Sequence, residues 1–414
     1  MSNKELPFWK DFSRPRYKDE IESIQSEFFA PYATIKSVGR RYKEEIYKKE
    51  TRSEFQRDKD RIIHSKAFRR LLYKTQVFVN HEGDHYRTRA THSMEVAQMA
   101  RSIARCLGLN EDLAEAISLA HDLGHTPFGH AVEDLLSKDL KEEGGFFHNE
   151  HGVRVVDVLE HKPGYPGEDF GLNLTWEVRE GILKHTGDSS GIYKSLNPNQ
   201  PGSLESQVVA YADKIAYVCH DLEDAISAGI IHQLEENQLV EKGWLEKFWV
   251  DFDVEQYHVE KGVSPLIGNL NRILIEETLK VVEKYNIDSV DKVRSFISNP
   301  ESNNKIVTLG PYENKFSELK RFVYAYIYGS PVVSIMDVKA VRIVKKILQT
   351  YKRNPEQLPY EIFSLYKKAV ESDMQYGDGH KTTPKRVIYD YIASMTDRYA
   401  IEEYDRLFNP HSKI

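Results

Sequence analysis

Apolar residues recur at three- and four-residue intervals along most of the chain, which is the pattern of amphipathic helices. The stretch "THSMEVAQMARSIARCLG" is a clear case, and its last residue, Gly108, is a helix stop signal. The apolar residues predicted on one face of this helix are Met94, Ala97, Ala100, Ile103, Ala104 and Leu107. We therefore expect a helix that buries this face.

Capping signals divide the neighbouring segments into further helices. Asn110 is the expected N-cap of "NEDLAEAISLAHDLG", which ends at Gly124. In "TPFGHAVEDLLSKDL" the pattern predicts Thr126 as the N-cap and Pro127 at the first helical position. The longest helix is predicted over about residues 203–229, and "TPKRVIYDYIASMTDRYAIEEYDRLF" is predicted as one helix near the C-terminus.

Patterns with a strand period are scarce. "KIVTL" at residues 305–309 is one short candidate, and "YKTQVFVNHEGDHYRTR" is expected to hold a small hairpin that turns at residues 82–84. No internal repeat or low-complexity tract interrupts the helical pattern. The sequence therefore predicts an all-α fold with peripheral helical additions and at most a small hairpin.

Composition and charge argue against several classes of protein. The 414 residues are long enough to bury a substantial core, and 29% of them are charged. Because no long apolar run or apolar N-terminal signal core occurs, we expect a cytoplasmic protein that does not span a membrane. Both cysteines, Cys106 and Cys219, lie in helical patterns, so no disulfide is expected. A net charge of −7 argues against a dedicated nucleic-acid binder.

Histidines are concentrated in one part of the chain: nine of the 16 lie between residues 81 and 161. A bare His-Asp doublet carries little information, because roughly one is expected by chance in a chain of this composition. Two occur, His121-Asp122 and His220-Asp221. Neutral imidazoles and carboxylates are nevertheless the ligands that divalent metals such as manganese or iron take in proteins.

Candidate partners for the first doublet come from two other predicted helices. His92 opens one of them, and Asp213 lies in mid-helix between apolar residues, where an unpaired carboxylate would be costly. Tyr217, Asp221 and Asp224 continue a polar stripe from Asp213 at helical spacing. The residues alone leave open whether Asp213 faces solvent.

Three short blocks follow one another in a distinctive order: "RTRATHS", then "HDLGHTPFGH", which begins 29 residues after His92, then "ADKIAY". Together they resemble the HD superfamily of metal-dependent phosphohydrolases. The run "TRSEFQRDKDRIIHSKAFRRLLYKTQVF", with "YRTRATHS" and "YIASMTDRYAIE", is similar to one branch, the deoxyguanosine triphosphate triphosphohydrolases and their deoxynucleotide-hydrolysing relatives. The resemblance is strong over about residues 50–230 and weaker over about 315–408.

The resemblance implies an HD-domain helical fold in four parts. These are an N-terminal helical arm (1–60), an HD-domain core with the metal site (61–230), a peripheral helical insertion (231–310) and C-terminal helices that complete a nucleotide pocket (311–414). It also implies four metal ligands: His92, His121, Asp122 and Asp213. The second doublet is then not a metal site, since it lies on the same helix as Asp213.

The implied activity is hydrolysis of a deoxynucleoside triphosphate to deoxynucleoside and inorganic triphosphate. It requires a divalent metal (Mn, Mg, Fe, Ni or Co), cations for the triphosphate and a proton donor for the leaving 5′-oxygen. His130 and Glu133 share a helix face and match the family's proton-transfer pair, and His125 is expected to touch a phosphate or the attacking water. From the residues alone, His125 and His130 could equally be core or capping histidines.

Further residues match family positions that bind substrate. Arg89 and Lys214 are implied to contact the triphosphate, and Gln76 and Asp221 the 3′-hydroxyl. Tyr217 would pack beneath the deoxyribose, where its ring would exclude a 2′-hydroxyl. Tyr324 is expected to stack on the sugar or base, although an aromatic residue at its spacing can also be a core residue.

Relatives also suggest partners: a dNTP effector, weak binding of single-stranded nucleic acid, and a homo-oligomer such as a tetramer or hexamer. One departure concerns Asn149, which stands where some relatives place a histidine, with His148 beside it. A catalytic part for either residue is therefore left open. The alternative functions are an HD-type nucleotidase or phosphodiesterase, and a non-catalytic sensor of nucleotides or single-stranded nucleic acid.

Overall fold

The protein is almost entirely helical, as the sequence predicts. The computed structural model describes residues 14–43, 49–76, 87–161, 171–187, 190–254, 262–296, 305–372, 374–376 and 380–412. The helices are α1 (Lys18–Ser26), α2 (Glu54–Ile63), α3 (Lys66–Arg70), α4 (Arg89–Cys106), α5 (Glu111–Ala120), α6 (His130–Asp139), α7 (His148–Arg154), α8 (Trp176–Lys184), α9 (Leu204–Ser227), α10 (Ile230–Glu236), α11 (Trp244–Asp251), α12 (Ser264–Lys284), α13 (Val290–Ser295), α14 (Glu313–Phe322), α15 (Pro331–Arg353), α16 (Tyr360–Glu371), α17 (Pro384–Ala393) and α18 (Asp397–Phe408).

Strand structure is limited, within the described residues, to one antiparallel hairpin of β1 (Met374–Tyr376) and β2 (His380–Thr382). The strand predicted at 305–309 is wrong. Its backbone is bound by side chains instead, because Thr308 N donates to Thr278 and Leu309 N donates to Glu313 at the start of α14. The hairpin turn predicted at 82–84 lies outside the described residues.

Two helix starts illustrate how capping works in this fold. The Asn110 side chain accepts a hydrogen bond from Leu113 N and begins α5, as predicted. The predicted start of α6 at Thr126 and Pro127 is wrong. Phe128 has a φ of 58°, so the backbone turns there and α6 begins only at His130.

Two other helix predictions also need correction. Met94 is 52% exposed, because its side of α4 borders a surface groove, although the other apolar residues of that face are buried. The C-terminal stretch forms α17 and α18 rather than one helix. Thr396 interrupts it, since its side chain accepts a hydrogen bond from Tyr399 N and caps α18.

Two hydrophobic cores hold the helices together. The larger core contains buried residues of most helices from α2 to α14 and Val333 at the start of α15. The smaller core joins α6 to α15, α17 and α18. A buried ion pair of 2.6 Å between Arg154 of α7 and Asp390 of α17 crosses between these regions. Residues 121–130 run between the two cores, so side chains anchored in both can meet there.

The C-terminal helices also fix the backbone around this segment. One carboxylate oxygen of Asp397 accepts from Thr75 N and the other from Phe128 N, each at 2.8 Å. The buried Lys74 ammonium donates to the carbonyls of His125 and Ala393. These contacts hold the turn before α6 in place.

Two further sequence expectations concern cysteines and membranes. Both cysteines are free thiols, Cys106 exposed and Cys219 buried. In the part of the chain that the structure describes, no helix has the length and apolarity needed to cross a bilayer.

Replacing Gly124 by alanine is expected to destabilise the protein strongly. An added Cβ would lie 1.9 Å from His148 O and 2.3 Å from Gly152 N, both backbone atoms of α7 that cannot rotate away. We expect a loss of about 3 kcal/mol or more in the free energy of unfolding, measured by denaturant titration.

The matched control is Gly268→Ala in the exposed part of α12, where an added Cβ has no heavy atom of the described residues within 4 Å. This substitution should be neutral or stabilise by about 0.5–1 kcal/mol. Equal stability of the two variants would contradict close packing between the 121–124 turn and α7.

Candidate metal centre and active site

Three side chains from three segments, His92, His121 and Asp213, lie close together, and Asp122 adjoins them. His92 Nε2 of α4 lies 3.0 Å from Asp213 Oδ1 of α9, and His121 Nε2 lies 3.6 Å from the same oxygen. Asp122 Oδ1 lies 3.3 Å from His121 Nε2. The doublet of residues 121 and 122 occupies a 3₁₀ turn at the end of α5, and the segments meet because α4, α5 and α9 pack together in the larger core.

His121 is oriented with Nε2 toward this group. Its Nδ1 donates to Ser118 O at 2.5 Å, so Nε2 is the nitrogen that a metal would bind. Nε2 of His121 is buried and has no hydrogen-bond partner among the described residues. His92, His121 and Asp213 form a group that could hold a metal ion, and Asp122 beside His121 is a fourth candidate ligand. Imidazole nitrogens and carboxylates are suitable ligands for a divalent transition metal or magnesium.

The charge balance at this point also favours a cation. Burial raises the pKa of Asp122 and Asp213, but neighbouring imidazoles outweigh it and hold both pKa values well below the usual range. Burial lowers the pKa of His121, but the two carboxylates outweigh it and raise the pKa to about 9. A metal ion would therefore replace a proton that the carboxylates otherwise hold on an imidazole.

Arg89 lies against the same cluster and faces a large cavity. Its Nη1 donates to Asp122 Oδ2 at 3.1 Å, and the side chain is 3% exposed. Gly129 leaves room for it, because a Cβ there would lie 2.9 Å from Arg89 Nη2. The cavity that Arg89 lines has a volume of about 590 Å³, a size in the range of small-molecule sites.

A second cluster adjoins the first and contains the predicted proton-transfer pair. His130 Nδ1 lies 3.2 Å from Glu133 Oε2, and the His130 ring is 72% exposed toward the cavity. His125 Nε2 lies 3.0 Å from Asp122 Oδ1, so the His125 ring connects the two clusters. Burial raises the pKa of Glu133, but His148 and His130 outweigh it and keep this carboxyl ionised.

His148, whose role the sequence leaves open, belongs to this cluster. Its Nδ1 lies 2.9 Å from Glu133 Oε1, its ring stacks on His125 at 3.8 Å, and its Nε2 lies 3.2 Å from His185 Nε2. Asn149 points elsewhere and donates to Leu183 O. Sequence reasoning missed His185, which the histidine count alone could not single out.

The predicted substrate residues divide into two groups. Gln76, Arg89, Lys214, Tyr217 and Tyr324 all line the cavity. Gln76 Oε1 is buried without a partner among the described residues and is thus available to a donor. Asp221 is set back from the cavity.

Tyr328 stands in front of Asp221. Its hydroxyl donates to the Asp221 carboxylate, and it lines the cavity itself. Sequence reasoning missed Tyr328 and also Lys320, whose Nζ lies 5.8 Å from the ring centres of Tyr217 and Tyr324.

The second His-Asp doublet forms a different arrangement. His220 Nδ1 lies 3.1 Å from Glu95 Oε2 of α4. Burial lowers the pKa of His220 to about 3, so the ring is neutral. The doublet thus has its own partners, Glu95 and Tyr328.

Comparison with known proteins identifies the family. Residues 89–218 match the family model of the HD domain, and residues 310–406 match that of the phosphohydrolase-associated domain. Proteins named deoxyguanosinetriphosphate triphosphohydrolase-like are 40% identical in Geobacter sulfurreducens, over 96% of this chain and 99% of the relative, and 42% identical in Geobacter metallireducens, over 92% and 94%.

The chain belongs to the deoxyguanosinetriphosphate triphosphohydrolase-like family of HD-domain phosphohydrolases. A further relative with the same name, from Syntrophus aciditrophicus, is 40% identical over 96% of this chain and 98% of its own length. The HD-domain match includes every residue of both histidine clusters, and the associated domain supplies Lys320, Tyr324 and Tyr328. The cavity of this family member is therefore built from both matched regions.

Asp221→Asn is expected to change stability in a pH-dependent way. Burial raises the pKa of Asp221 from 3.8 to about 7. Between these two pH values the proton binds to Asp221 in the folded state but not in the unfolded state. The free energy of unfolding of the wild-type protein therefore falls as the pH rises toward about 7. The free energy of unfolding of the variant minus that of wild type should increase by on the order of 3 kcal/mol from pH 5 to pH 8.

Urea titrations of both proteins at the two pH values measure this difference. Asp405→Asn, which replaces an exposed aspartate of α18, is the control and should show no such change. A difference that stays flat with pH for Asp221→Asn would mean that this carboxyl is not held protonated by its surroundings.

Proposed function

We propose that this HD-domain phosphohydrolase hydrolyses deoxynucleoside triphosphates, dGTP or several dNTPs, to deoxynucleoside and inorganic triphosphate. The observation that carries the proposal is the contact between the two clusters. The candidate metal ligand Asp122 lies 3.0 Å from His125, which stacks on the ring that binds Glu133. A metal and a proton donor can thus act on one phosphate group.

The candidate ligands of the metal are His92, His121, Asp122 and Asp213. When bound, a divalent metal such as Mn, Mg, Fe, Ni or Co would polarise the α-phosphate and activate the attacking water. The residues themselves fix the position of the substrate. Arg89, held by Asp122 at 3.1 Å, is proposed to bind the triphosphate from one side, with Lys214 beside Asp213 as a second cation.

Proton transfer is assigned to His130. Its exposed ring faces the cavity, and the Glu133 carboxylate orients it through Nδ1, which leaves Nε2 to protonate the departing 5′-oxygen. His125 is proposed to contact a phosphate oxygen or the attacking water. His148 holds Glu133 from the other side and thereby keeps this carboxylate aligned with His130.

The sugar is assigned to the tyrosine-rich wall of the cavity. Tyr217 would lie beneath the deoxyribose and exclude a 2′-hydroxyl, and Tyr324 would stack on the sugar or base. Gln76 and Asp221 are proposed to recognise the 3′-hydroxyl, with the Tyr328 hydroxyl lying between Asp221 and the cavity. A homo-oligomer and a dNTP effector remain predictions from the resemblance.

A product screen tests the reaction. The four dNTPs are incubated singly and in mixtures with Mg²⁺, Mn²⁺ or Co²⁺, and the products are separated by ion exchange and ³¹P NMR. We expect deoxynucleoside and inorganic triphosphate in equal amounts, because water attacks the α-phosphorus and the 5′-oxygen leaves. Monophosphate or pyrophosphate as the product would instead indicate a nucleotidase or phosphodiesterase.

Substitution of the histidine in each of the two His-Asp doublets tests the metal site. His121→Asn should weaken metal affinity by more than the roughly 10–100-fold loss that is typical of outer-shell substitutions. His220→Asn removes an equally buried imidazole that pairs with Glu95 and should keep its metal. Metal content per chain after dialysis is measured by mass spectrometry, and equal retention by the two variants would refute the ligand assignment.

A further inference from the structure

A second, smaller cavity adjoins the proposed active site. It has a volume of about 270 Å³ and shares His185, Thr186 and Lys214 with the large cavity. Its size is below the range typical of nucleotide- or drug-sized sites. Lys214 thus lies where the two cavities meet.

The lining of this side cavity is cationic. It includes Lys184, Lys214 and Lys305, and among the described lining residues there is no carboxylate. Lys184 is bound to Glu180 at 2.7 Å, but Glu180 also binds Arg294 at 2.6 Å, so one carboxylate serves two cations.

The other two lysines are not paired in this way, because neither Lys214 nor Lys305 forms an ion pair with a described residue. Lys305 and Lys320 repel the Lys214 ammonium, whereas Asp213 and Glu313 attract it. Lys214 and Lys305 are like charges on the wall of the side cavity, and an anion bound there would reduce their mutual repulsion. The lining thus favours an anion over a neutral ligand.

Neutral donors and the start of a long helix line the same cavity. Gly202 and Ser206 lie at the N-terminal end of α9, and the Gln207 side chain is beside them. The N-terminus of a helix carries partial positive charge and adds to the attraction that the lysines already exert on an anion.

We propose that the side cavity is a subsite for inorganic triphosphate. The product triphosphate binds there before it is released from the enzyme. The inference rests on the proposed function, since that reaction produces triphosphate beside Lys214. Lys305 binds the end of the anion that lies farther from the large cavity. Lys214, which lines both cavities, binds the other end. A triphosphate bound there leaves the nucleoside free to depart through the large cavity.

Lys305→Glu tests the subsite. The metal-loaded enzyme is assayed with a dNTP in the presence of added inorganic triphosphate, and triphosphate binding is measured separately by calorimetry. We expect the inhibition constant and the dissociation constant for triphosphate to rise by about fivefold, as the reversal of one partly screened charge allows. The kcat and KM for the dNTP should stay within about twofold of wild type.

Two variants serve as controls. Lys345→Glu makes the same charge change at an exposed position of α15 outside both cavities and should leave triphosphate binding unchanged. Lys305→Arg keeps the charge and should retain wild-type inhibition. An equal effect of the 305 and 345 reversals, or no effect of either, overturns the proposal.

The same measurements distinguish a separate product subsite from binding of the triphosphate tail of the substrate. If Lys305→Glu raises the KM for dNTP in step with the inhibition constant, Lys305 binds the tail of the substrate and the separate product subsite is refuted. If no dNTP yields triphosphate, the proposed function fails. Calorimetry with triphosphate then still decides the subsite, because weaker binding to Lys305→Glu supports it and equal binding overturns it.

Discussion

The placement of the buried Asp122 and the half-buried Asp213 among imidazoles is the constraint on which the rest of the structure depends. Two carboxylates removed from water cost several kcal/mol each unless positive charge lies within a few ångströms. Here His92, His121 and Arg89 supply the partners of these carboxylates. The packing of α4, α5 and α9 therefore serves to bring charged groups together in a region that would otherwise favour only apolar ones.

The scaffold meets this constraint by placing the reactive segment between two cores. Residues 121–124 pack against α7 so closely that position 124 has no room for a side chain. After the backbone reversal at Phe128, α6 leaves the larger core and enters the smaller one. Asp397 fixes that reversal by binding Phe128 N. His130 therefore approaches the candidate metal ligands from the side of the smaller core. An open cavity lies between His130 and these ligands.

The two adjoining cavities differ in charge. The large one is lined by carboxylates as well as by Arg89, Lys214 and Lys320, whereas the side cavity is lined by lysines and by no carboxylate of a described residue. In the proposed reaction, triphosphate would be attracted to the side cavity and a neutral nucleoside would not. This difference would give a physical basis for separating the two proposed products.

The sequence by itself determined the helical class, the N-cap of α5, the approximate extent of α9, and the residues His92, His121, Asp122 and Asp213 as candidates, since helix periodicity and ligand chemistry are local properties. Ordered blocks also carried the family resemblance. Only the tertiary structure decided that His148 and His185 join the cluster, that Asp221 lies behind Tyr328, and that α6 begins at His130. These features depend on contacts between segments far apart in the chain, and such contacts leave no periodic or spacing signal in the sequence.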